Sequence, residues 1–127
     1  MVAGRQDAEA ELAALVAMWD LHPSMDHVVV RLANGQMCNQ LILTWNRIED
    51  VDLAGYVVTM RQRSRDLCED RVKTREPHCV LPLPSGPCHL VCTVHAVHML
   101  GLAGPVSPAL TFYQQGAFCL TSQGPLT

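Results

Sequence analysis

The sequence has no excess of basic residues and no long apolar run. Its 127 residues include 9 Lys plus Arg and 12 Asp plus Glu, which gives a formal net charge of −3. A chain with this balance cannot neutralise a phosphate backbone, so we expect no nucleic-acid partner. Proline, histidine and glycine interrupt the uncharged stretch that follows Cys79, and no apolar run reaches membrane-spanning length. We therefore expect no membrane insertion.

Signals for secretion are also missing from the chain as given. Acidic residues stand near the N-terminus, where a signal peptide needs basic and then apolar residues. None of Asn34, Asn39 and Asn46 begins an Asn-x-Ser/Thr sequon. We expect a cytoplasmic or nuclear protein whose six cysteines stay reduced. The alternative is an extracellular fragment of a receptor-type β-sandwich, with its cysteines in disulfides.

Catalytic signatures are absent as well. The sequence contains no Gly-x-Ser-x-Gly elbow, no Gly-rich phosphate loop and no His-Glu-x-x-His pair. The acidic loop at 47–52 lacks the alternating oxygen ligands of a calcium loop and is interpreted as a solvated turn. We expect a protein that is not an enzyme, with no cofactor, no metal and no small-molecule substrate.

The first part of the chain has the pattern of a helix. Ala, Leu, Met and Glu dominate residues 7–21, and Asp7 is the candidate cap. The apolar positions Leu12, Leu15, Val16 and Trp19 fall at helical spacing on one stripe, and Pro23 stops the helix. The sequence predicts a helical extension over residues 1–23.

After Pro23 the apolar period changes from 3.6 to 2, which is typical of strands. Asn34-Gly35 is a strong signal for a hairpin turn between the first two predicted strands. Strand patterns cover 27–32, 41–45, 55–61, 79–83, 90–96 and 109–113, with one or two short edge strands within 61–77. About seven strands at this spacing predict an all-β antiparallel sandwich over 24–114, followed by a flexible tail over 115–127.

Three fragments in this order resemble a known family. They are Leu41-x-Leu43-x-Trp45 followed by Gly55-Tyr56-x-Val58, then Leu81-x-Leu83-Pro84-Ser85-Gly86, then Cys92-x-Val94-x-Ala96. Together they resemble a fibronectin type III domain, a member of the immunoglobulin-like superfamily. The resemblance implies a seven-stranded sandwich that binds proteins and does not catalyse.

One position departs from the family pattern. The family's corner tyrosine stands six residues before the alanine that matches Ala96, and this position is Leu90, which has no hydroxyl to donate to the main chain. We therefore expect a looser corner, or one held by His89 or Cys88.

The alternation also predicts which side chains fill the space between the two sheets. The predicted structural core is Leu41, Leu43, Trp45, Tyr56, Val58, Leu83, Leu90, Cys92, Val94 and Ala96. Burial of this many large apolar side chains, at roughly 1.5–3 kcal/mol each, is enough for one domain.

Cysteines and histidines cluster between Cys88 and His98 in a pattern with zinc-ligand types. Strand alternation opposes a shared metal, because it turns Cys92 towards the core and His89 and His95 to the other face. We expect no metal here, and a metal-binding domain is kept as the third functional alternative.

The strongest functional signal is an apolar loop at 97–102, where polar residues are usual. Its predicted partner-binding residues are His98, Met99, Leu100 and Leu102, extended over one sheet face by Val57, Val91 and Thr93. The alternative is that these side chains fold back on the domain or cover the helix stripe. The expected function is a non-catalytic adaptor or scaffold module that binds another protein.

Overall fold

The computed structural model describes residues 2–63, 67–83, 86–115, 118–121 and 124–125. Within these residues it contains one helix and nine strands. They are α1 (Val2–Val16), β1 (Ser24–Arg31), β2 (Met37–Thr44), β3 (Leu53–Arg63), β4 (Leu67–Thr74), β5 (His78–Pro82), β6 (Cys88–His98), β7 (Leu110–Gln115), β8 (Phe118–Thr121) and β9 (Gly124–Pro125).

The strands form two antiparallel sheets. The smaller sheet has the order β1-β2-β5 and the larger has the order β4-β3-β6-β7-β8-β9. The chain therefore crosses from the larger sheet to the smaller one after β4 and returns after β5. The expected all-β sandwich-like class is confirmed, but the count of seven strands is not, because β8 and β9 extend the larger sheet.

The core lies between these sheets, as the period of two predicts. Nine of the ten predicted core side chains are buried, and Leu83 is partly buried against them. Trp45 packs edge-on against Tyr56 with ring centroids 5.4 Å apart, and the Tyr56 hydroxyl accepts a bond from the Ile48 amide at 3.0 Å. The two aromatic rings therefore join β3 to the end of β2 and the loop after it.

The helix differs from its predicted bounds. It runs over Val2–Val16, so Asp7 lies inside it and the predicted cap there is wrong. The helix ends early because the next turn tightens, with the Trp19 amide bonding the Val16 carbonyl at 3.0 Å. That turn lets Trp19 and Leu21 enter the core, where both are buried. Leu15 of the predicted stripe is instead exposed.

The stretch over 115–127, for which we expected a flexible tail, contains two short strands among the residues that the structure describes. Strand β8 covers residues 118–121 and pairs with β7, and strand β9 covers residues 124–125 and pairs with β8. Phe118, Cys119 and Leu120 are three consecutive apolar residues with no alternation, so the sequence pattern gave no clear strand signal.

The corner before β6 is held by a residue that the sequence analysis did not name. The Gln114 side chain, buried on β7, donates to the Gly86 carbonyl at 2.8 Å. His89 faces outward and stacks on Tyr113, with centroids 4.0 Å apart, so it cannot hold the corner. Gln114 fastens the turn across the strands, and Leu90 fills the core beside it.

Candidate functional site

The loop between β6 and β7 is a tight turn built around one histidine. The His98 amide donates to the Leu102 carbonyl at 2.8 Å, and the Gly101 amide donates to the His98 carbonyl at 2.8 Å. His98 Nδ1 accepts a third bond from the Leu100 amide at 3.0 Å. Gly101 has φ of +92°, a conformation that glycine adopts without strain. The turn is thus fixed by its own hydrogen bonds.

The helical segment docks on this loop. The Trp19 and His98 rings stack with centroids 5.7 Å apart. Gly104 lies under the end of the helix, where a Cβ atom would sit 3.4 Å from the Val16 carbonyl oxygen and 3.5 Å from Trp19 Cβ. The N-terminal segment therefore covers the inner side of the loop through Val16 and Trp19.

The apolar side chains of the loop stay in solvent. Met99, Leu100 and Leu102, which we name the apolar knob, are 64 %, 76 % and 37 % exposed. The alternative in which they fold back or cover the helix stripe is wrong for Met99 and Leu100. His98, predicted as a contact residue, is only 4 % exposed and cannot touch a partner directly; it positions the knob instead.

The loop between β2 and β3 adds one residue that sequence reasoning missed. The Met99 amide donates to the Asp52 carbonyl at 2.8 Å, which brings this loop against the knob. Val51 beside it is 93 % exposed. Asp50, read as part of a solvated acidic loop, uses its carboxylate to accept the Asp52 amide at 2.8 Å. The sequence did offer a signal for this exposed position, because Val51 is an aliphatic residue between acidic residues of a loop.

The other predicted contact residues lie elsewhere. Val57, Val91 and Thr93 are half-buried on the outer face of the larger sheet, opposite the core. Thr93 is six residues before Met99 on an extended strand, a distance of roughly 20 Å at about 3.3 Å per residue. The structure therefore does not bring Val91 and Thr93 together with the knob.

The Cys88–His98 cluster does not converge on one point. Cys88, Cys92 and His98 face the core, whereas His89 and His95 lie on the outer face. Among the described residues, no three His, Cys, Asp or Glu side chains are placed to share a metal ion. Burial, with a smaller contribution from Cys79, raises the pKa of Cys92 to about 11, which disfavours the thiolate that a metal would need. Among the cysteines that the structure describes, Cys38, Cys79 and Cys92 are free thiols.

A cleft opens next to the knob where β3 begins. The pairing of β3 with β6 shifts register between Leu53 and Gly55, so the strand bulges. Gly55 has φ of +154°, and a Cβ atom there would lie 2.7 Å from the Thr74 carbonyl oxygen. A cleft of about 400 Å³ lies beside this bulge and includes Val57, Lys73, Arg75 and Val97 in its lining.

None of the described helical residues forms a segment long and apolar enough to cross a bilayer. The helix α1 contains 15 residues. A helical span needs about 20 consecutive apolar residues.

Comparison with known proteins gives little. No family model matches the chain, and no curated protein matches it. Among solved structures, it is similar to one described as "Myokine structure", with a TM-score of 0.46 and 21 % identity. The match covers 68 % of this chain and 89 % of that one. At this level of similarity we take neither a family nor a function from it.

Proposed function

We propose that this chain is a non-catalytic protein-interaction module that contacts its partner through the apolar knob of Met99, Leu100 and Leu102, widened by Val51. The observation that carries the proposal is the exposure of Leu100 on a turn held by His98. Contiguous patches of exposed apolar side chains mark interaction sites more often than isolated ones do, and here Met99, Leu100 and Leu102 lie within four consecutive residues.

The rigidity of the turn supports binding. Ordering a flexible loop costs about 0.5–1.5 kcal/mol for each side chain that becomes fixed. Here the backbone is already fixed by bonds to His98 and Asp52, so less is lost when a partner binds. Met99 keeps an unbranched, adaptable side chain that can fit an irregular pocket.

Fibronectin type III character is part of the same proposal. Its support is the sequence motifs together with a smaller β1-β2-β5 sheet opposite a larger sheet that contains β4-β3-β6-β7. The crossover into β5 and back to β6 is of the Greek-key kind found in such sandwiches. Domains of this kind serve adaptors and scaffolds, and an intracellular role is part of the proposal. In such a compartment the six cysteines would stay reduced.

A thiol count distinguishes the proposed intracellular module from the alternative of an extracellular receptor-type domain. A thiol count on denatured protein from its native source should return six reactive thiols for an intracellular module. Fewer thiols, recovered only after reduction, would support an extracellular domain. The metal-binding alternative predicts bound metal in elemental analysis of protein purified without chelator.

The knob is tested by Leu100→Asp and Met99→Asp, compared with the wild type in affinity capture from cell extract with quantified bound proteins. Val106→Asp is the matched control, since Val106 has the same 64 % exposure as Met99 but lies outside the knob. We expect both knob variants to bind the captured partner about tenfold or more weakly than the wild type, equivalent to about 1.4 kcal/mol of binding free energy. The control should bind it as the wild type does. If both knob variants keep every partner that the control keeps, the proposal is wrong.

A further inference from the structure

The outer face of β3 and β4 carries a concentration of positive charge in a chain whose net charge is −3. Alternation from the buried Tyr56 and Val58 turns Arg61 and Arg63 outward, and the cross-strand register sets Arg71 and Lys73 on the same face. Among the described side chains of these two strands, Glu69 is the outward-facing acid.

That single carboxylate is already shared. Glu69 bonds Arg61 at 3.0 Å and Arg71 at 3.5 Å. Lys73 and Arg75 are exposed, and neither has an ion-pair partner among the side chains that the structure describes. By contrast, Arg47 nearby is paired with Glu76 at 2.7 Å. Two unneutralised cations therefore stand together at the end of the strand.

These two cations line the cleft beside Gly55. Its apolar lining includes Val57 and Val97, which face outward from paired strands. A second, wider cleft of about 740 Å³ continues from Gly55 and Arg75 to Met99. The narrower cleft thus offers an apolar floor and a cationic rim. The wider cleft leads from it to the knob and is also lined by Arg47, Glu49 and Asp50, so the cationic character belongs to the narrower cleft.

We propose that this cleft binds an extended acidic segment of a partner polypeptide, with carboxylates on Lys73 and Arg75 and an apolar side chain over Val57 and Val97. The inference rests on the proposed role as an interaction module, but on residues outside the knob. Charge complementarity identifies the occupant. A nucleic acid is disfavoured because a few cations on a chain of net negative charge would release few counterions.

The test uses a fluorescent peptide with alternating Glu and Val residues, and the same peptide with Gln in place of Glu. Anisotropy at low salt should show the Glu peptide binding at least about tenfold more tightly than the Gln peptide. Raising the salt to about 0.2 M should weaken Glu-peptide binding, since exposed ion pairs are screened.

The decisive variant is Lys73→Gln combined with Arg75→Gln. We expect it to weaken Glu-peptide binding by about tenfold, while Arg31→Gln, an exposed cation on the smaller sheet, changes it by less than about twofold. Unchanged binding by the double variant would overturn the inference. So would equal competition by a short oligothymidylate, which would identify a general polyanion surface.

Failure here is separable from failure of the proposed function. Leu100→Asp should keep Glu-peptide binding within about threefold of wild type and lose the captured partner. If Leu100→Asp abolishes Glu-peptide binding as fully as the double variant does, the peptide uses the knob and the cleft assignment is wrong. If Leu100→Asp and Met99→Asp keep both the peptide and every captured partner, the cleft stands and the knob proposal fails.

Discussion

The Trp19 indole stacks on the His98 imidazole at 5.7 Å and thereby attaches the N-terminal segment to the loop that carries the apolar knob. Both side chains are buried, although Trp19 belongs to a turn and His98 to the last position of β6. The same His98 ring accepts a bond from the Leu100 amide at 3.0 Å, so the attachment of the segment and the shape of the loop both depend on His98.

Replacing Trp19 with alanine should release this segment. We expect Trp19→Ala to lower the free energy of unfolding by about 3–5 kcal/mol, the usual cost of truncating a buried aromatic side chain. Met18→Ala is the control, because Met18 is 76 % exposed and should change stability by less than about 0.5 kcal/mol. Urea unfolding measures both. Equal stability of the two variants would contradict the docking described here.

Gln114 should prove to be the residue that holds the corner before β6. Gln114→Met keeps most of the side-chain volume but leaves the Gly86 carbonyl without its 2.8 Å donor, so we expect a loss of about 1–3 kcal/mol. The same exchange at Gln40, half-buried on the outer face of the smaller sheet, should cost less than about 0.5 kcal/mol. Thermal unfolding compares the two, and a harmless Gln114→Met would show that the corner is held by other contacts.

Gly55 should be the least replaceable glycine that the structure describes in a strand. Gly55→Ala adds backbone strain of about 1–3 kcal/mol at φ +154° and a clash with the Thr74 carbonyl oxygen at 2.7 Å. Gly35→Ala is the control for backbone strain without a clash, since Gly35 has a φ of +85° and no atom lies within 4 Å of the added Cβ. We expect Gly55→Ala to destabilise the fold by at least about 1 kcal/mol more than Gly35→Ala does. Equal losses would mean that the bulge relaxes.

His95 should titrate below its ordinary range. Burial lowers the pKa of His95 from 6.5, and the neighbouring Arg71 lowers it further. The unfolded chain therefore takes up this proton first, and stability should decline as the pH falls below 6.5 towards the lower pKa of the folded state. Histidine NMR titration of wild type and Arg71→Gln measures the effect, with the variant closer to 6.5. A wild-type pKa at or above 6.5 would contradict it.

Local pattern was enough to identify the sandwich-like fold and its core. Leu41 and Leu43 lie two residues apart between the polar Gln40 and Thr44, and they are the two buried positions of β2, so one face of this strand is the buried face. The same period, continued from Cys92 through Val94 and Ala96, places His98 inward. Its predicted exposure was therefore an error that the sequence itself could have corrected.

Other features depend on contacts between distant parts of the chain. The early end of α1 reflects the fit of Trp19 against His98, and nothing in residues 1–23 indicates that partner. Gln114 reads as the start of a polar tail until the register of β6 with β7 places it opposite Cys88 and near Gly86. The cleft beside Gly55 likewise lies next to a register shift, which the alternation does not encode.

His98 uses its ring to hold Trp19 and its Nδ1 atom to shape the turn, while Gly104 admits the end of the helix at close range. If attachment of the N-terminal segment raises the affinity of this turn for a ligand by some factor, then binding of the ligand must strengthen the attachment of the segment by the same factor. Occupancy at the tip of the molecule would then be measurable as slower proteolysis of residues 2–16, without a label on the ligand.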